Sequence, residues 1–256
     1  MKTKKLFILI FSLLFTRLYS HDISKINIDE YKISPQSTSG LVSDKEGKEL
    51  NIYKENNEIY ILGWSKDGKM AYIENRSIEG RGGYDFYFII IDLVEDKITY
   101  QFKKQWYDND DYGESPQKRL TFQQCIKVYS KEINKQLKAT KIIVKPCEFQ
   151  NFPAKDSKGK EVKFDVKITK KETGEFNFTC MSYEIYASKD NQSKLINSVD
   201  NKRCEYVKAT GYLKSPYEDR VALIIADSEY VFEGNEVFIS FYGCNLSSGF
   251  RSKQIY

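Results

Sequence analysis

The chain has 256 residues, enough for one large or two small domains with real hydrophobic cores. It contains 19 Tyr and 16 Phe but only 5 Pro, a composition that favours β-rich structure without long disordered linkers. The formal net charge of +4 comes from basic residues among the first twenty, so the rest of the chain is balanced and shows no surplus of cations for a nucleic-acid partner.

Residues 1–20 have the organisation of a secretory signal peptide. Lys2, Lys4 and Lys5 precede an apolar run over Leu6–Phe15, and Ser20 provides a small residue at the expected cleavage site. The run is shorter than the roughly 20 residues of a membrane-spanning helix, although an uncleaved anchor is the alternative. We therefore expect a secreted or periplasmic protein whose mature chain contains no transmembrane segment.

Five cysteines enter this oxidising compartment, where disulfides are allowed but not compelled. The odd number leaves at least one cysteine unpaired within the chain. Because the sequence has no CxxC motif and a single His, neither a structural zinc site nor a thioredoxin-like centre is expected. The predicted disulfide joins Cys180 to Cys204, since both lie in or beside strand-like runs separated by one turn-rich segment.

Residues 21–112 form the first predicted β unit. Its Asp67-Gly68 dipeptide predicts a tight turn, since Gly supplies the positive φ that such a turn requires. The continuous apolar run Phe86–Ile91 predicts a central strand buried on both faces. The predicted strands of this unit are Leu50–Tyr53, Glu58–Trp64, Lys69–Glu74, Tyr84–Leu93 and Lys97–Lys103.

The stretch Trp64-Ser-Lys-Asp-Gly-Lys-Met-Ala-Tyr-Ile73 resembles the WD40-like blade motif of TolB-type periplasmic propellers. The run Tyr87–Leu93 is similar to the next strand of that motif, while Lys66 replaces its usual Pro. One recognisable blade is too few for a closed propeller, which needs at least about four blades of roughly 40 residues. The whole chain also resembles secreted bacterial proteins of uncharacterised function. The blade resemblance implies protein or ligand binding and carries no catalytic residues.

The turns of this blade-like stretch supply a candidate binding site. We expect four residues there to contact an unknown protein or envelope component: Trp64, Asp67, Arg81 and Tyr84. The alternative for Trp64 is a place in the core, where a large aromatic ring buries most surface.

An acidic loop follows, with carboxylates at Asp108, Asp110, Asp111 and Glu114. Its spacing matches part of an EF-hand, but Tyr112 and Arg119 stand where two ligands should be. We therefore expect no cofactor other than weakly bound Ca²⁺, and a solvated loop is the alternative. The same carboxylates also suggest a hydrolase acting on a glycan or peptide, although their crowding does not suit an acid and a base on either side of a sugar.

Residues 113–140 comprise the end of this loop and a predicted helix. Ser115 and Pro116 have the residue types of an N-cap and a first helical position. Apolar residues then recur every three or four positions, at Phe122, Ile126, Tyr129, Ile133 and Leu137. This spacing predicts one long amphipathic helix that packs a single stripe on a sheet.

Residues 141–256 form the second predicted β unit, in which the polar segment Ser188–Asn201 is expected to be a loop with at most one short strand. The stretch Gly211–Leu246 repeats the pattern of Gly63–Leu93 with small insertions, so this unit is a possible duplicate of the first. The predicted strands are Lys141–Cys147, Val162–Thr169, Glu175–Tyr186, Tyr206–Tyr212, Val221–Ala226 and Glu236–Tyr242.

The predicted fold class is mainly β (α+β). Two related antiparallel β-sheet units of blade-like type have the long amphipathic helix between them, without forming a closed propeller. The expected function is a secreted or periplasmic, non-enzymatic binding or envelope-interaction protein. The alternatives are the carboxylate-dependent hydrolase and an outer-membrane-associated protein, since the chain ends on the aromatic residue Tyr256.

Overall fold

The computed structural model describes residues 22–33, 57–77, 84–106, 120–173, 179–231 and 234–252. Strands account for 61% of the structure and form three antiparallel sheets, none closed into a barrel, so the prediction of a mainly β protein that is not a closed propeller is confirmed. The described ranges contain one α-helix, as predicted, and two short 3₁₀ turns at Ile23–Lys25 and Ile28–Tyr31.

The first sheet consists of four strands joined by consecutive hairpins, and one short strand that follows the helix is added at its edge. Its strand order is β4-β3-β2-β1-β5, and β5 pairs with the end of β1. The predicted strand Leu50–Tyr53 lies outside the described residues. The strands of the sheet are β1 (Asn57–Trp64), β2 (Lys69–Ser77), β3 (Tyr84–Asp92), β4 (Lys97–Trp106) and β5 (Ile143–Val144).

The helix α1 spans Phe122–Ala139, so the predicted amphipathic helix is confirmed but begins later than expected. Thr121 has an extended backbone and acts as the N-cap. Its hydroxyl accepts from the Gln124 amide at 3.3 Å, and the Gln124 side chain accepts from the Thr121 amide at 2.8 Å. This reciprocal capping box satisfies two amides at the helix start. The predicted start at Ser115 and Pro116 lies outside the described residues.

The chain after the helix builds two further sheets rather than one. The middle sheet has the order β13-β12-β11-β6, and the outer sheet has the order β14-β10-β9-β8-β7. Their strands are β6 (Phe149–Gln150), β7 (Ala154–Lys155), β8 (Glu161–Thr173), β9 (Thr179–Lys189), β10 (Gln192–Arg203), β11 (Tyr206–Lys214), β12 (Arg220–Val231), β13 (Gly234–Asn245) and β14 (Arg251–Ser252).

The prediction of a loop over Ser188–Asn201 is wrong, because most of this segment belongs to strand β10. Although the segment is mostly polar, it pairs along its length with β9. Ile196 and Val199 pack against the core on one side of the strand, while Leu195 and Ser198 are exposed on the other. A strand with one solvated face needs only a few apolar residues, and pairing with the neighbouring strand β9 supplies the rest of its stability.

The sheets and the helix stack as four layers in the order helix, first sheet, middle sheet and outer sheet. One face of the first sheet packs against α1 and the 3₁₀ turns, and the other packs against the middle sheet. In β3, Phe86, Phe88 and Ile90 lie in the cluster with the helix, whereas Ile89 and Ile91 lie in the cluster with the middle sheet. The predicted burial of this strand on both faces is therefore confirmed.

The middle sheet is likewise covered on both faces. In β12, Ala222 and Ile224 pack toward the first sheet, while Leu223 and Ile225 pack toward the outer sheet. As a result, the eight consecutive residues 221–228 are all buried. Such a run requires apolar side chains at successive positions, which the sequence provides except at its end.

The first and middle sheets share a local pattern that follows the predicted repeat. Strands β11, β12 and β13 are arranged like β1, β2 and β3, and both first strands change register just before a glycine, at Gly63 and Gly211. The short strand β5 pairs at Gly63, and β6 pairs immediately after Gly211. A Cβ at Gly63 would lie 2.0 Å from the Ile143 carbonyl oxygen, so the close approach of β5 requires glycine.

The turns after these strands are closed by similar hydrogen bonds, although the second turn is one residue longer. The Ser65 amide donates to the Lys69 carbonyl at 2.9 Å, and the Ser215 amide donates to the Arg220 carbonyl at the same distance. Both serines are buried. The two units therefore repeat one local geometry, while an origin by duplication stays a prediction.

We expect Gly243→Ala to lower the free energy of unfolding by roughly 3 kcal/mol or more, because the added methyl group would clash with backbone atoms that cannot move aside. A Cβ at Gly243 of β13 would lie 1.6 Å from the Leu93 carbonyl oxygen of the first sheet. Urea denaturation measures the change. The matched control is Gly159→Ala, where φ is +78° but nothing lies within 4 Å of the new Cβ. That variant should lose only about 1–2 kcal/mol of left-handed strain. Equal losses would contradict the close packing of the two sheets.

Candidate functional site

The structure does not bring the four predicted binding residues together. Trp64 is 1% exposed and lies in the core between the first and middle sheets, which confirms its interpretation as a core residue. Tyr84 is buried on the opposite face, toward the helix. The two residues also lie at opposite ends of the sheet, since Trp64 pairs with Met70 and Tyr84 pairs with Ser77. Arg81 lies outside the described residues.

Asp67 is the predicted residue that does reach the surface, with its side chain 62% exposed. It lies on the predicted turn between β1 and β2, in which Gly68 has a φ of +86°. Ser65 stabilises the turn, because its hydroxyl accepts a hydrogen bond from the Lys69 amide at 2.9 Å. The hydrogen bond from the Lys69 ammonium holds the pKa of the Asp67 carboxyl below its usual range.

Three turns from two sheets meet around Gly68. A Cβ on Gly68 would lie 2.8 Å from Cγ2 of Val94, in the turn between β3 and β4. The added Cβ would also lie 3.1 Å from Oε1 of Glu218, in the turn between β11 and β12 of the middle sheet. Val94 is 55% exposed and Tyr217, beside Glu218, is 37% exposed. We call Asp67, Val94, Tyr217 and Glu218 the turn surface.

Hydrogen bonds between the sheets hold the turn surface in place. Arg220 donates through Nε to Glu218 at 2.7 Å and through a terminal nitrogen to the Leu93 carbonyl at 2.9 Å. The Gly243 amide donates to Oδ1 of Asp96 at 2.5 Å. The bonds to the Leu93 carbonyl and to Asp96 join residues more than a hundred positions apart in the sequence. The turns of the two sheets are therefore fixed relative to one another.

Asp96 is the unusual titratable group of this region. Burial raises its pKa to about 6, although the Gly243 amide and the nearby Arg220 favour the charged form. Its φ of 52° lies in the left-handed region, which Asp tolerates better than most residues. The left-handed backbone at Asp96 and the hydrogen bond from the Gly243 amide of the middle sheet together fix the position of the carboxyl group.

The turn surface offers apolar side chains beside carboxylates that already have basic partners. Asp67 pairs with Lys69, and Glu218 pairs with Arg220. This arrangement suits contact with another molecule through Val94 and Tyr217, with the paired charges at the margin. Sequence reasoning missed Val94, Tyr217 and Glu218. The available signal was the repeat, which aligns the turn after Trp64 with the Lys-Ser-Pro turn of the second unit.

The predicted Ca²⁺ and hydrolase residues Asp108, Asp110, Asp111 and Glu114 lie outside the described residues, so both interpretations stay predictions. Among the residues that the structure describes, no group of three or more His, Cys, Asp or Glu side chains is arranged to hold a metal ion. Within the same ranges, no helix combines the length and hydropathy needed to cross a bilayer.

Of the predicted disulfide partners, Cys180 lies in β9 of the outer sheet and Cys204 directly follows β10, and both are free thiols in this structure. The register places Cys180 directly opposite Arg203 rather than opposite Cys204. Cys204 is fully buried in the core between the outer and middle sheets, whereas Cys180 is half-buried. The structure therefore forms no bond between them, and the pairing stays a prediction.

Comparison with known proteins gives no relative from which a role can be carried over. No family model matches the chain, and no curated protein or solved structure matches it significantly.

We expect iodoacetamide to modify Cys180 before Cys204 in the native protein, with rates that differ by at least about tenfold. Burial raises the pKa of the Cys204 thiol to about 12, which leaves little reactive thiolate. Mass spectrometry of the peptides after timed alkylation without reductant measures both rates. In denaturant the two rates should converge. A native protein in which neither cysteine reacts until a reductant is added would show the disulfide instead.

Asp96 should make stability depend on pH. Its folded-state pKa is raised from 3.8 to about 6, so its stabilising contribution is complete below about pH 4 and is lost as the pH rises through about 6. Allowing for partial exposure, we expect the free energy of unfolding to fall by about 1–2 kcal/mol across this window. Urea denaturation of wild type and Asp96→Asn at both ends of the window isolates the contribution. An unchanged pH dependence in Asp96→Asn would contradict this assignment.

Proposed function

We propose that this chain is a secreted, non-enzymatic binding protein that contacts a protein or envelope component through the turn surface. The observation that carries the proposal is the position of Val94 and Tyr217. These are exposed large side chains from two different sheets, and their turns meet around Gly68. Exposed apolar side chains gathered on a fixed scaffold are typical of interaction sites.

Rigidity supports this assignment. A partner that binds a fixed surface does not have to order it first, so less of the interaction energy is lost on association. The bonds from Arg220 and to Asp96 fix the turns of the first sheet against the middle sheet. The backbone at Val94 and Tyr217 therefore loses little conformational freedom when a partner binds.

Two features of the sequence support the rest of the proposal. The cationic start and apolar run before Ser20 favour export through a secretory pathway. The resemblance of Trp64–Ile73 to a WD40-like blade favours a binding role, because that motif supplies scaffold and not catalytic groups. Asp67, which belongs to that stretch, is part of the turn surface.

The test compares partner capture by the mature protein and its variants from an envelope extract of the source organism. We expect Val94→Glu and Tyr217→Ala each to reduce the amount of specifically captured partner by about tenfold or more, as loss of a central interface side chain does. Quantitative mass spectrometry of the captured material measures the change, and circular dichroism checks that each variant is folded.

The matched control is Val128→Glu. Val128 is 58% exposed, like Val94, but it lies on α1, which covers the face of the first sheet opposite the middle sheet. This control changes an equally exposed valine to the same charged residue away from the turn surface. Equal capture by the Val94, Tyr217 and Val128 variants would remove the turn surface as the binding site.

A further inference from the structure

A lysine of the outer sheet and an aspartate of the middle sheet are in direct contact. Nζ of Lys202, on β10, lies 2.5 Å from Oδ2 of Asp227, on β12. Asp227 is completely buried, whereas the Lys202 side chain is 32% exposed. The strands that carry them belong to different sheets, so the contact crosses between two layers of the protein.

Asp227 is poorly solvated for a charged group. Its second oxygen, Oδ1, has no hydrogen-bond partner among the residues that the structure describes. The surrounding cluster consists mainly of apolar and aromatic side chains, including Tyr183, Leu223 and Ile225. Burial raises the pKa of Asp227, although Lys202 and the more distant Arg76 favour its charged form. A buried ion with an unsatisfied oxygen is costly unless the pair becomes neutral.

A second lysine–aspartate pair in the same protein shows what a satisfied ion pair looks like. Nζ of Lys189 lies 3.0 Å from Oδ2 of Asp156 and also donates to the Leu246 carbonyl at 2.7 Å. Oδ1 of Asp156 accepts two backbone amides, each at 2.9 Å. The Lys189 hydrogen bond and these amides hold the pKa of Asp156 below its usual range. Every oxygen of this carboxylate is used, so the charged form is the stable one.

From this contrast, we propose that Lys202 and Asp227 form a covalent isopeptide bond that links the outer sheet to the middle sheet. Asp156 and Lys189 remain an ordinary ion pair because their carboxylate is fully hydrogen-bonded. The proposal rests on the contact between Nζ and the buried carboxyl group, the unpartnered Oδ1 and the apolar surroundings of the pair.

The reaction is a condensation that needs no oxidant, reductant or cofactor. The Lys202 ammonium passes one proton to the Asp227 carboxylate, which leaves a neutral amine and a neutral carboxylic acid. The amine lone pair attacks Cγ, so that a C–N bond forms and one C–O bond breaks. The departing oxygen carries the carboxyl proton and takes a second proton from the amine nitrogen, and it leaves as one water molecule.

The fold supplies what makes this condensation favourable. Two groups held in contact by a folded protein react as if at effective concentrations of about 10⁵–10⁸ M, which offsets the preference of free amines and acids to stay separate in water. Burial also favours the neutral, protonated form of the Asp227 carboxyl group, which is the form that reacts.

The test is mass spectrometry of the purified, reduced and fully denatured protein after digestion with trypsin. Trypsin cannot cleave after a lysine whose amine is in an amide. We therefore expect the peptide 195–203 joined to the peptide 221–251, with a mass lower than the sum of the two by one water molecule. Fragmentation should place the link on Lys202 and Asp227. Quantitative cleavage after Lys202, with both peptides at their unmodified masses, would overturn the proposal without any variant.

Variants provide the controls. Lys202→Arg removes the reacting amine, so its intact mass should differ from that of the wild type by the substitution plus one water molecule. Lys189→Arg alters the satisfied pair, and its intact mass should differ by the substitution alone. An additional water in the Lys189 variant, or its absence in the Lys202 variant, would show that the link does not lie where we place it.

Discussion

Burial of the middle sheet on both faces is the constraint on which the rest of the structure depends. The eight consecutive residues 221–228 of β12 have the first sheet on one side and the outer sheet on the other. Apolar side chains at successive positions satisfy this constraint for most of the strand. Asp227 does not, and a carboxylate in such a place must find a partner that crosses from a neighbouring layer. Lys202 is that partner.

The same stacking produces the turn surface. Because the first and middle sheets pack face to face with similar hairpins, the turns after β1 and β11 come to the same end of the molecule, beside the turn after β3. Close contact between Gly243 and Leu93 and the hydrogen bonds of Asp96 and Arg220 then fix these turns to one another. Exposed apolar side chains on such a support keep their positions, which is what recognition by a partner requires.

Sequence reasoning succeeded where a local pattern carries the information. The unbroken apolar run of β3 predicted burial on both faces, and the spacing of apolar residues predicted α1. It failed at β10, whose polar composition is typical of a loop and whose strand conformation depends on pairing with β9. The predicted helix start at Ser115 and Pro116 lies outside the described residues, and the start of α1 that the structure describes is set by the capping box between Thr121 and Gln124.

The sequence by itself determined that this protein is mainly β with one amphipathic helix, because alternation, helical spacing and turn residues act between near neighbours in the chain. The predicted repeat also aligned Gly211 with Gly63, so that each glycine lies near the end of the corresponding strand. Only the tertiary structure decided that the second unit splits into two sheets, that Trp64 and Tyr84 lie on opposite faces, and that Val94 and Tyr217 share one end of the molecule. These outcomes depend on strand register and layer packing between residues far apart in the sequence, for which the chain carries no local signal.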